Sequence, residues 1–336
     1  MIILSDCLTE IADEGSLKVA ATLTKRLRAA DSGTMVLSYD RHPAWADQHL
    51  RLNKLFLNPE LLRILRRYAG RVLYIPFASN TLASMLRLCT LSLVCRGRLQ
   101  ALFALRHPMN GLTRALLRLS GARVLTLSAS SCAFFKKAAG DAVQLRAGVD
   151  AKRFAPVSAQ TKAALREKYG VAPGKKVLLH VGHLNQGRNV GALLGAGEDY
   201  HVFLVVSTVT EVDEALRRQL EARPNTTIID TYQPEIQEFY QMADVYLFPV
   251  LMPEHCIDMP LSVMEAASCN VPIVTTEYGE LTAFRHEKGF CFVEDLSPGP
   301  LNAALDRMSA LTECENRHAV KPYDWDRAVA HLLKMR

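Results

Sequence analysis

The chain has 336 residues, of which 49% are hydrophobic and 22% are charged. This length suits two domains of about 150 residues each, and the composition excludes a disordered or collagen-like protein. Basic residues outnumber acidic residues by 21 to 10 in residues 1–150, whereas the remainder carries 19 basic and 24 acidic residues. The first half therefore suits an anionic partner such as a phospholipid surface, a lipid diphosphate or nucleic acid, although an ordinary solvated surface explains the charge equally well.

Neither a membrane span nor a signal peptide is expected. No stretch reaches the roughly 20 apolar residues that a transmembrane helix needs, and the longest candidate, Leu82 to Val94, is interrupted by Arg87. The opening MIILSDCLTEIADEGS lacks a basic segment before its apolar residues and predicts a buried strand. Eight scattered cysteines without a CxxC pair predict neither a zinc site nor a disulfide framework, which favours a reducing cytoplasm.

Short apolar runs alternate with longer amphipathic stretches along the whole chain. In the first half the runs are MIILSD, GTMVLSYD, GRVLYIPF, LQALFALRH and ARVLTLS; after a polar segment near residue 155 they are KKVLLHVG, YHVFLVVS, NTTIIDT, ADVYLFPV, VPIVTT and GFCFV. Such alternation predicts parallel strands with crossover helices. The expected fold class is α/β, with two units that divide near residue 155.

The turn after KKVLLHVG is the first candidate site, because doubly wound sheets bind ligands beyond the carboxyl ends of their strands. Residues 182–189 read GHLNQGRN. The two glycines let backbone N–H groups approach an anion, and Arg188 offers a bidentate fork to phosphate oxygens. The turn is therefore either a diphosphate cradle or a plain glycine turn with a solvated arginine.

The loop after ADVYLFPV is the second candidate site. It leads through Pro260 into a predicted helix that begins at Leu261, and the backbone N–H groups at a helix start attract anions. Glu265 lies about one turn inside this helix. Its carboxylate either accepts hydrogen bonds from ribose or sugar hydroxyls or faces solvent.

The order of these segments resembles that of the retaining, two-Rossmann-domain (GT-B) glycosyltransferases of family 4. Residues 182–184 and then Arg188 are similar to the family's diphosphate-binding turn. Residues 234–245, PEIQEFYQMADV, are similar to the stretch that passes under the nucleotide base. Residues 260–267 and 270–274 resemble the donor helix and the strand that follows it.

Two further segments extend the resemblance to the domain organisation. Residues 148–156 are similar to the family's crossover segment, and Tyr323-Asp324-Trp325 resembles the start of its terminal helix. The resemblance implies two Rossmann-like domains with a deep inter-domain cleft: an acceptor-binding domain at 1–154 and a nucleotide-sugar-binding domain at 155–320. A helix at 321–336 is expected to pack back towards the first domain.

The family's first carboxylate before the donor helix is missing from its usual place. Relatives carry a Glu, seven residues and a second Glu, and counting back from Glu265 leads to Ile257. Asp258 is the preferred substitute, because Pro260 keeps its family spacing to Glu265, and Glu254 is the second choice. His183 stands where relatives have an Arg, which leaves Arg188 as the main cation. The resemblance implies donor contacts from Gly182, His183, Asn185, Arg188, Glu254, Met259, Leu261, Ser262 and Glu265.

The first domain is expected to bind the acceptor. The family's glycine loop after the first strand is reduced to residues 13–17, after Asp6. Acceptor contacts are expected from Asp6, Gly15, Ser16 and Arg106. His107 follows the strand LQALFAL, where relatives often place a His that faces the sugar, so it binds donor or acceptor unless it is structural. Ser128 and Ser130 stand where the family has its helix-capping Ser, and capping is the expected role. Glu265, Asp258 and His107 are the catalytic candidates.

The resemblance implies transfer of a hexose-type sugar from a nucleoside diphosphate sugar to a glycan or lipid-linked acceptor, with retention of configuration. Such a reaction belongs to cell-surface polysaccharide or glycolipid synthesis. The donor is a substrate, and the resemblance implies neither a cofactor nor a metal. Nucleic acid is not an expected partner.

The expected location is cytoplasmic, with possible peripheral contact between residues 82–98 and the anionic inner face of a membrane. A buried core helix is the alternative for that segment. Two other functions remain open: a non-catalytic relative that binds a nucleotide-sugar or a partner glycosyltransferase, and a GT-B sugar-nucleotide epimerase.

Overall fold

A computed structural model of the protein describes residues 1–208, 211–252 and 256–335. The chain divides into two compact units, of which the first comprises Met1–Ala147 together with the chain from Trp325 onward and the second comprises Gly148–Asp324. The division thus lies at Gly148 rather than at residue 155. Each unit is built on one parallel sheet flanked by helices, which confirms the α/β fold class.

The first sheet has seven parallel strands in the order β3-β2-β1-β4-β5-β6-β7. Its central strand β1 pairs with β2 on one side and β4 on the other, with Ile2 aligned to Met35 and Val72. Helices cover such sheets on both faces, so the strands are nearly continuous in apolar residues. The strands are β1 (Ile2–Ser5), β2 (Met35–Ser38), β3 (Gln48–His49), β4 (Val72–Ile75), β5 (Leu99–Phe103), β6 (Arg123–Thr126) and β7 (Ala142–Gln144).

Side chains cap the starts of the first five helices, which are α1 (Gly15–Ala30), α2 (Pro59–Arg67), α3 (Leu82–Cys95), α4 (Gly111–Ser120) and α5 (Ala129–Ala139). In each case the residue before the helix accepts a hydrogen bond from a backbone N–H of the first turn, which otherwise has no partner within the helix. The capping residues are Glu14, Asn58, Thr81, Asn110 and Ser128. The expected capping role of Ser128 is therefore confirmed.

The second sheet has six parallel strands in the order β10-β9-β8-β11-β12-β13. They are β8 (Lys176–Gly182), β9 (Tyr200–Val206), β10 (Thr226–Ile229), β11 (Val245–Phe248), β12 (Ile273–Thr275) and β13 (Phe290–Phe292). The α-helices of this unit are α6 (Ala159–Lys168), α7 (Glu214–Ala222), α8 (Gln237–Met242), α9 (Leu261–Ser268), α10 (Pro298–Ser309) and α11 (Asn316–Val320). The strand order reverses between β8 and β11, and ligands bind such sheets at that point.

The C-terminal helix α12 (Trp325–Lys334) packs on α1 within the first unit. The guanidinium of Arg71 donates hydrogen bonds to the carbonyl oxygens of Leu332, Leu333 and Met335, at 2.6, 3.1 and 2.8 Å. Carbonyls at the end of a helix have no partner within the helix, so Arg71 satisfies groups that would otherwise need water. An ion pair between Arg26 and Asp326 holds the start of the same helix.

All eleven apolar runs of the sequence form strands, and two further strands escaped prediction. β3 has two residues and β7 has three, too few to show a hydrophobic period. The segment after β8 was expected to be helical and forms two 3-10 turns, Gln186–Arg188 and Val190–Gly195. Asn189 between them has φ of 52°, a left-handed conformation that interrupts a continuous helix.

Candidate functional site

The turn after β8 is pinned by its own side chains. Leu184 is buried among the apolar residues of the second domain. Oδ1 of Asn185 accepts a hydrogen bond from the backbone N–H of Arg188 at 3.2 Å and caps the 3-10 turn. Nδ2 of Asn189 donates to the carbonyl oxygen of Pro249 at 3.1 Å, which ties this turn to the segment after β11. The two candidate loops are therefore held together at the carboxyl edge of neighbouring strands.

Arg188 is buried, with only 8% of its surface exposed, and so is not the solvated arginine of the alternative interpretation. Its guanidinium lies 3.5 Å from Nδ1 of His183. The buried Nε atom has no hydrogen-bond partner among the described residues. A buried cation that keeps an unused donor is a group that a ligand anion can satisfy.

His180 lies beneath this turn and is completely buried. Its Nδ1 lies 2.9 Å from the carbonyl oxygen of Leu247, which joins β8 to β11. Burial, and to a lesser degree the charge of Arg188, lowers the pKa of His180 to about 4, against the upward effect of the Leu247 carbonyl. The imidazole is therefore neutral at pH 7, and the positive charge here belongs to Arg188.

A segment after β12 clamps the second loop in place. The hydroxyl of Tyr278 donates to the carbonyl oxygen of Cys256 at 2.6 Å, and the N–H of Glu280 donates to the carbonyl oxygen of Asp258 at 2.9 Å. Gly279 has φ of +49°, and a Cβ there would lie 2.2 Å from the Asp258 oxygen. Only glycine fits this position, so the clamp depends on it.

The clamp fixes Asp258 at the edge of the site. Its side chain is half-buried, whereas Ile257 before it and Met259 after it are buried. Met259 was expected to contact the donor, but its side chain belongs to the apolar core of the second domain. Glu254, the other substitute carboxylate considered, lies outside the described residues.

Helix α9 begins without a side-chain cap. Pro260 precedes it and has no side-chain group that accepts a hydrogen bond, so no cap binds the N–H groups of Leu261 and Ser262. The side chain of Leu261 is buried and that of Ser262 is half-buried. Ser262 hydrogen-bonds with the hydroxyl of Tyr246, which also donates to the carbonyl oxygen of Val181 at 3.2 Å. The helix start thus adjoins the end of β8.

Glu265 is buried, with 2% of its surface exposed, which excludes the solvent-facing interpretation. Its Oε2 accepts a hydrogen bond of 2.9 Å from the hydroxyl of Tyr240 on α8. Burial, followed by the charge of Glu265, raises the pKa of Tyr240 well above its ordinary value. Tyr240 therefore stays protonated and remains a donor to the carboxylate.

Two tyrosine side chains each lie near two of the predicted site residues. Tyr278 lies in the electrostatic field of both Arg188 and Asp258. Tyr246 hydrogen-bonds Ser262 and lies in the field of Glu265. Neither Tyr246 nor Tyr278 was predicted as a site residue, although Tyr246 lies within an apolar run that predicts a strand and Tyr278 follows another such run.

In the first domain, Asp6 follows β1 and is tied to its neighbours. Oδ1 accepts a hydrogen bond from the N–H of Phe77 at 2.7 Å, and Oδ2 lies 3.9 Å from the guanidinium of Arg87. Burial raises the pKa of Asp6, and the Phe77 N–H and Arg87 oppose this. The carboxylate therefore joins the ends of β1 and β4.

The reduced glycine loop is the start of helix α1. Gly15 and Ser16 lie in its first turn, and the side chain of Ser16 is buried. The carboxylate of Glu14 accepts a hydrogen bond of 3.0 Å from the N–H of Leu17. An acidic group thus occupies the place where an anionic ligand would meet a helix start.

Arg106 and His107 lie on an exposed loop after β5. The guanidinium of Arg106 lies 5.5 Å from the ring centroid of Phe134. Both backbone groups of His107 are held by the side chain of Asn80, at 2.8 Å from its N–H and 2.7 Å from its carbonyl oxygen. The loop is fixed by its backbone, and the imidazole is exposed.

The described residues contain no group of three or more His, Cys, Asp or Glu side chains arranged to hold a metal ion. None of their helices has both the length and the apolar character needed to cross a bilayer.

Comparison with known proteins extends these observations. Residues 175–310 match the family model of the group 1 glycosyl transferases. A glycosyltransferase from Rickettsia africae ESF-5 superposes with a TM-score of 0.77 at 12% identity, over 99% of this chain and 96% of that one. Anabaena HepE in complex with UDP and glucose superposes with a TM-score of 0.75 at 15% identity, over 99% and 98%. No curated protein matches the chain in sequence.

WaaG, a glycosyltransferase involved in lipopolysaccharide biosynthesis, superposes with a TM-score of 0.65 at 16% identity, over 100% of this chain and 96% of that one. At these identities the likeness establishes the fold, which is the GT-B arrangement of two Rossmann-like domains. The family match over the second domain, together with this fold, supports a glycosyltransferase.

Proposed function

We propose that the protein transfers a hexose-type sugar from a nucleoside diphosphate sugar to a glycan or lipid-linked acceptor, with retention of configuration. The observations that carry this proposal are the buried cation Arg188 and a helix α9 whose start has no side-chain cap. Both lie at the carboxyl edge of β8 and β11, where the strand order reverses. The reaction would belong to cell-surface polysaccharide or glycolipid synthesis.

The donor diphosphate would bind between Arg188 and the N–H groups of Leu261 and Ser262. The unused Nε donor of Arg188 and the helix start both favour negative charge. Anabaena HepE, which shares the fold, has been crystallised with UDP and with UDP-glucose. A uridine nucleotide is accordingly the first donor to test.

Glu265 would hold the donor ribose or sugar, and Tyr240 donates a hydrogen bond to its Oε2. Tyr240 would keep the carboxylate in one orientation, and oriented acceptors bind hydroxyl groups with less loss of entropy. Asp258, held by the backbone clamp of Glu280, would contact the transferred sugar at the edge of the site. His107 is the proposed contact of the first domain.

The proposed reaction breaks the bond between the sugar and the diphosphate. Negative charge then develops on the leaving diphosphate, and Arg188 and the start of α9 would stabilise it more strongly as the bond breaks. We assign no residue as nucleophile; the leaving phosphate would accept the proton of the acceptor hydroxyl. The reaction would need no cofactor and no metal.

A binding panel tests the donor assignment. Thermal unfolding would be measured with UDP-, GDP- and ADP-sugars, and at least one donor should raise the midpoint of the wild-type protein. Arg188→Ala should lose this protection. No shift with any donor would contradict the nucleotide-sugar site.

Measurement of turnover distinguishes sugar transfer from the two alternative functions, a sugar-nucleotide epimerase and a non-catalytic binding protein. The product should be made with a donor that raises the midpoint of thermal unfolding. Proton NMR of that product should show that the transferred sugar keeps the anomeric configuration it had in the donor. Conversion of the donor sugar without an acceptor would indicate an epimerase instead. Donor binding with no turnover across glycan and lipid-linked acceptors would indicate a non-catalytic binding protein.

A further inference from the structure

Helices α3 and α4 present leucines to solvent rather than to the core. Leu93 on α3 and Leu119 on α4 are 77% and 76% exposed. On α3 the outward residues recur at helical spacing, with Leu82, Leu86, Cys89 and Leu93 all exposed or half-buried. The stripe of α4 comprises Leu112, Leu116 and Leu119, of which Leu116 is half-buried and also packs against the core. We call these seven residues the α3–α4 face.

The two stripes are adjacent. The helices pack side by side, and Sγ of Cys89 lies 3.3 Å from the carbonyl oxygen of Leu116. Single exposed leucines are ordinary, but a continuous apolar stripe over two neighbouring helices indicates a surface that contacts another molecule.

The charge around the α3–α4 face is of one sign. Residues 61–140 contain 13 Lys and Arg residues and no Asp or Glu. Arg96, at the end of α3, Arg114, on α4, and Lys136 and Lys137, on the adjacent α5, are exposed. The charged residues of α3, α4 and α5 are therefore all basic.

Two of the arginines that the sequence analysis assigned to this surface point elsewhere. The guanidinium of Arg87 lies 5.0 Å from the ring centroid of Phe56 and pairs with Asp6. Arg98 donates to the carbonyl oxygen of Gly70 at 2.8 Å. The surface consists of the outer sides of α3, α4 and α5, and it excludes Arg87 and Arg98.

We propose that the α3–α4 face docks on an anionic lipid bilayer. Leucines at the surface would enter the headgroup and acyl boundary, while the surrounding Lys and Arg side chains reach anionic headgroups. A second copy of this chain is a poor occupant, because a symmetric dimer would bring two positive surfaces together. Docking does not depend on the proposed sugar transfer; only its use, to draw a lipid-linked acceptor from the membrane, rests on that function.

Vesicle flotation tests the docking directly. The full-length protein should float with vesicles of equal parts phosphatidylglycerol and phosphatidylcholine, and far less with phosphatidylcholine alone. Raising the salt concentration from 0.1 M to 0.5 M should weaken binding, because salt screens surface charges. The double variant Leu93→Ser/Leu119→Ser should bind at least tenfold more weakly.

Matched control variants distinguish binding through the α3–α4 face from nonspecific binding to vesicles. Leu57→Ser/Leu194→Ser removes two exposed leucines outside the α3–α4 face and should bind like wild type. Lys136→Gln/Lys137→Gln should weaken binding to anionic vesicles, whereas Lys288→Gln in the second domain should not. The thermal shift with donor should be unchanged in all of these variants, which keeps this test independent of the proposed function.

Two results would overturn the proposal. One is equal flotation of the Leu93→Ser/Leu119→Ser protein and its control. The other is a wild-type dimer in light scattering that this double variant converts to a monomer, which would make the α3–α4 face a contact between copies.

Discussion

The hydroxyl of Tyr240 donates a hydrogen bond of 2.9 Å to Oε2 of Glu265, and both side chains are buried within the second domain. The pair joins α8 to α9, so it couples the segment under the proposed base site to the helix at the proposed diphosphate site. Removing one partner of such a buried pair removes this hydrogen bond from the other partner.

Tyr240→Phe should lower the free energy of unfolding by about 1–3 kcal/mol and reduce thermal protection by the donor, since Glu265 loses its orienting partner. Tyr200→Phe is the matched control. The hydroxyl of Tyr200 donates to Oδ1 of Asp306 at 2.9 Å, and Tyr200 is the first residue of β9, so it lies at the amino end of the strand, away from the proposed site. Both variants should unfold earlier, but only Tyr240→Phe should lose donor protection. Full protection of the Tyr240→Phe protein would argue against Glu265 as a donor contact.

Arg188→Lys should weaken binding of UDP about 10- to 100-fold, because an ammonium group cannot replace the planar fork of the guanidinium. Isothermal titration calorimetry measures the change. Arg223→Lys serves as the control, since Arg223 donates to the carbonyl oxygens of Ala196 and Gly197, before β9 on the other edge. If the two variants bound UDP equally well, the diphosphate would not lie at Arg188.

Gly279→Ala should destabilise the second domain and remove donor protection, because the new methyl group would collide with the carbonyl oxygen of Asp258. Gly174→Ala provides the comparison: φ there is +78°, yet nothing lies within 4 Å of the added Cβ. This control should cost only about 1–2 kcal/mol, the penalty of a left-handed alanine. Thermal unfolding with and without donor distinguishes them, and equal behaviour would mean that the clamp on residues 256–258 does not shape the site.

The buried His180 makes stability depend on pH. Its folded-state pKa of about 4 lies below the ordinary 6.5, so between these values the unfolded chain binds a proton that the folded chain does not. The contribution of neutral His180 to the free energy of unfolding is complete above about pH 6.5, and it should fall by roughly 2 kcal/mol when the pH is lowered to 5. Urea unfolding at pH 7.5 and pH 5 measures this loss.

His180→Gln should reduce that pH dependence, because glutamine does not titrate and still has an amide donor for the Leu247 carbonyl oxygen. His286→Gln, at an exposed position, should leave it as in wild type. A His180→Gln protein with the wild-type pH profile would assign the acid sensitivity to other groups.

The strands and most helix starts could be predicted because they depend on short-range properties. Apolar runs such as KKVLLHVG form strands, and a capping side chain such as Ser128 acts within three residues. The clamp could not be predicted in the same way. It joins residues 256–258 to residues 278–280, and such a pairing depends on how the sheet brings β11 and β12 together.

The burial of individual site residues could not be predicted from the local sequence either. Arg188 and Glu265 were read as either solvated or ligand-binding, and their burial depends on packing from Tyr278, Tyr240 and Tyr246. The resemblance assigned Met259 to the donor, and nothing in the local sequence indicated that its side chain packs in the apolar core. One strong signal was present in the sequence: Gly279 follows Tyr278 directly after a strand, and a glycine there often marks a close backbone approach.

The two sheets share one strand order around their central strands, so the helices after β4 and after β11 occupy equivalent places. In the first domain Thr81 caps that helix and Glu14 caps the helix after β1, whereas the second domain starts α9 with Pro260. The two domains therefore differ at equivalent helix starts: the first domain has polar capping side chains there, and the second has a proline at the start of α9. Moving the proposed diphosphate site into the first domain by design would therefore first require removal of the caps Thr81 and Glu14.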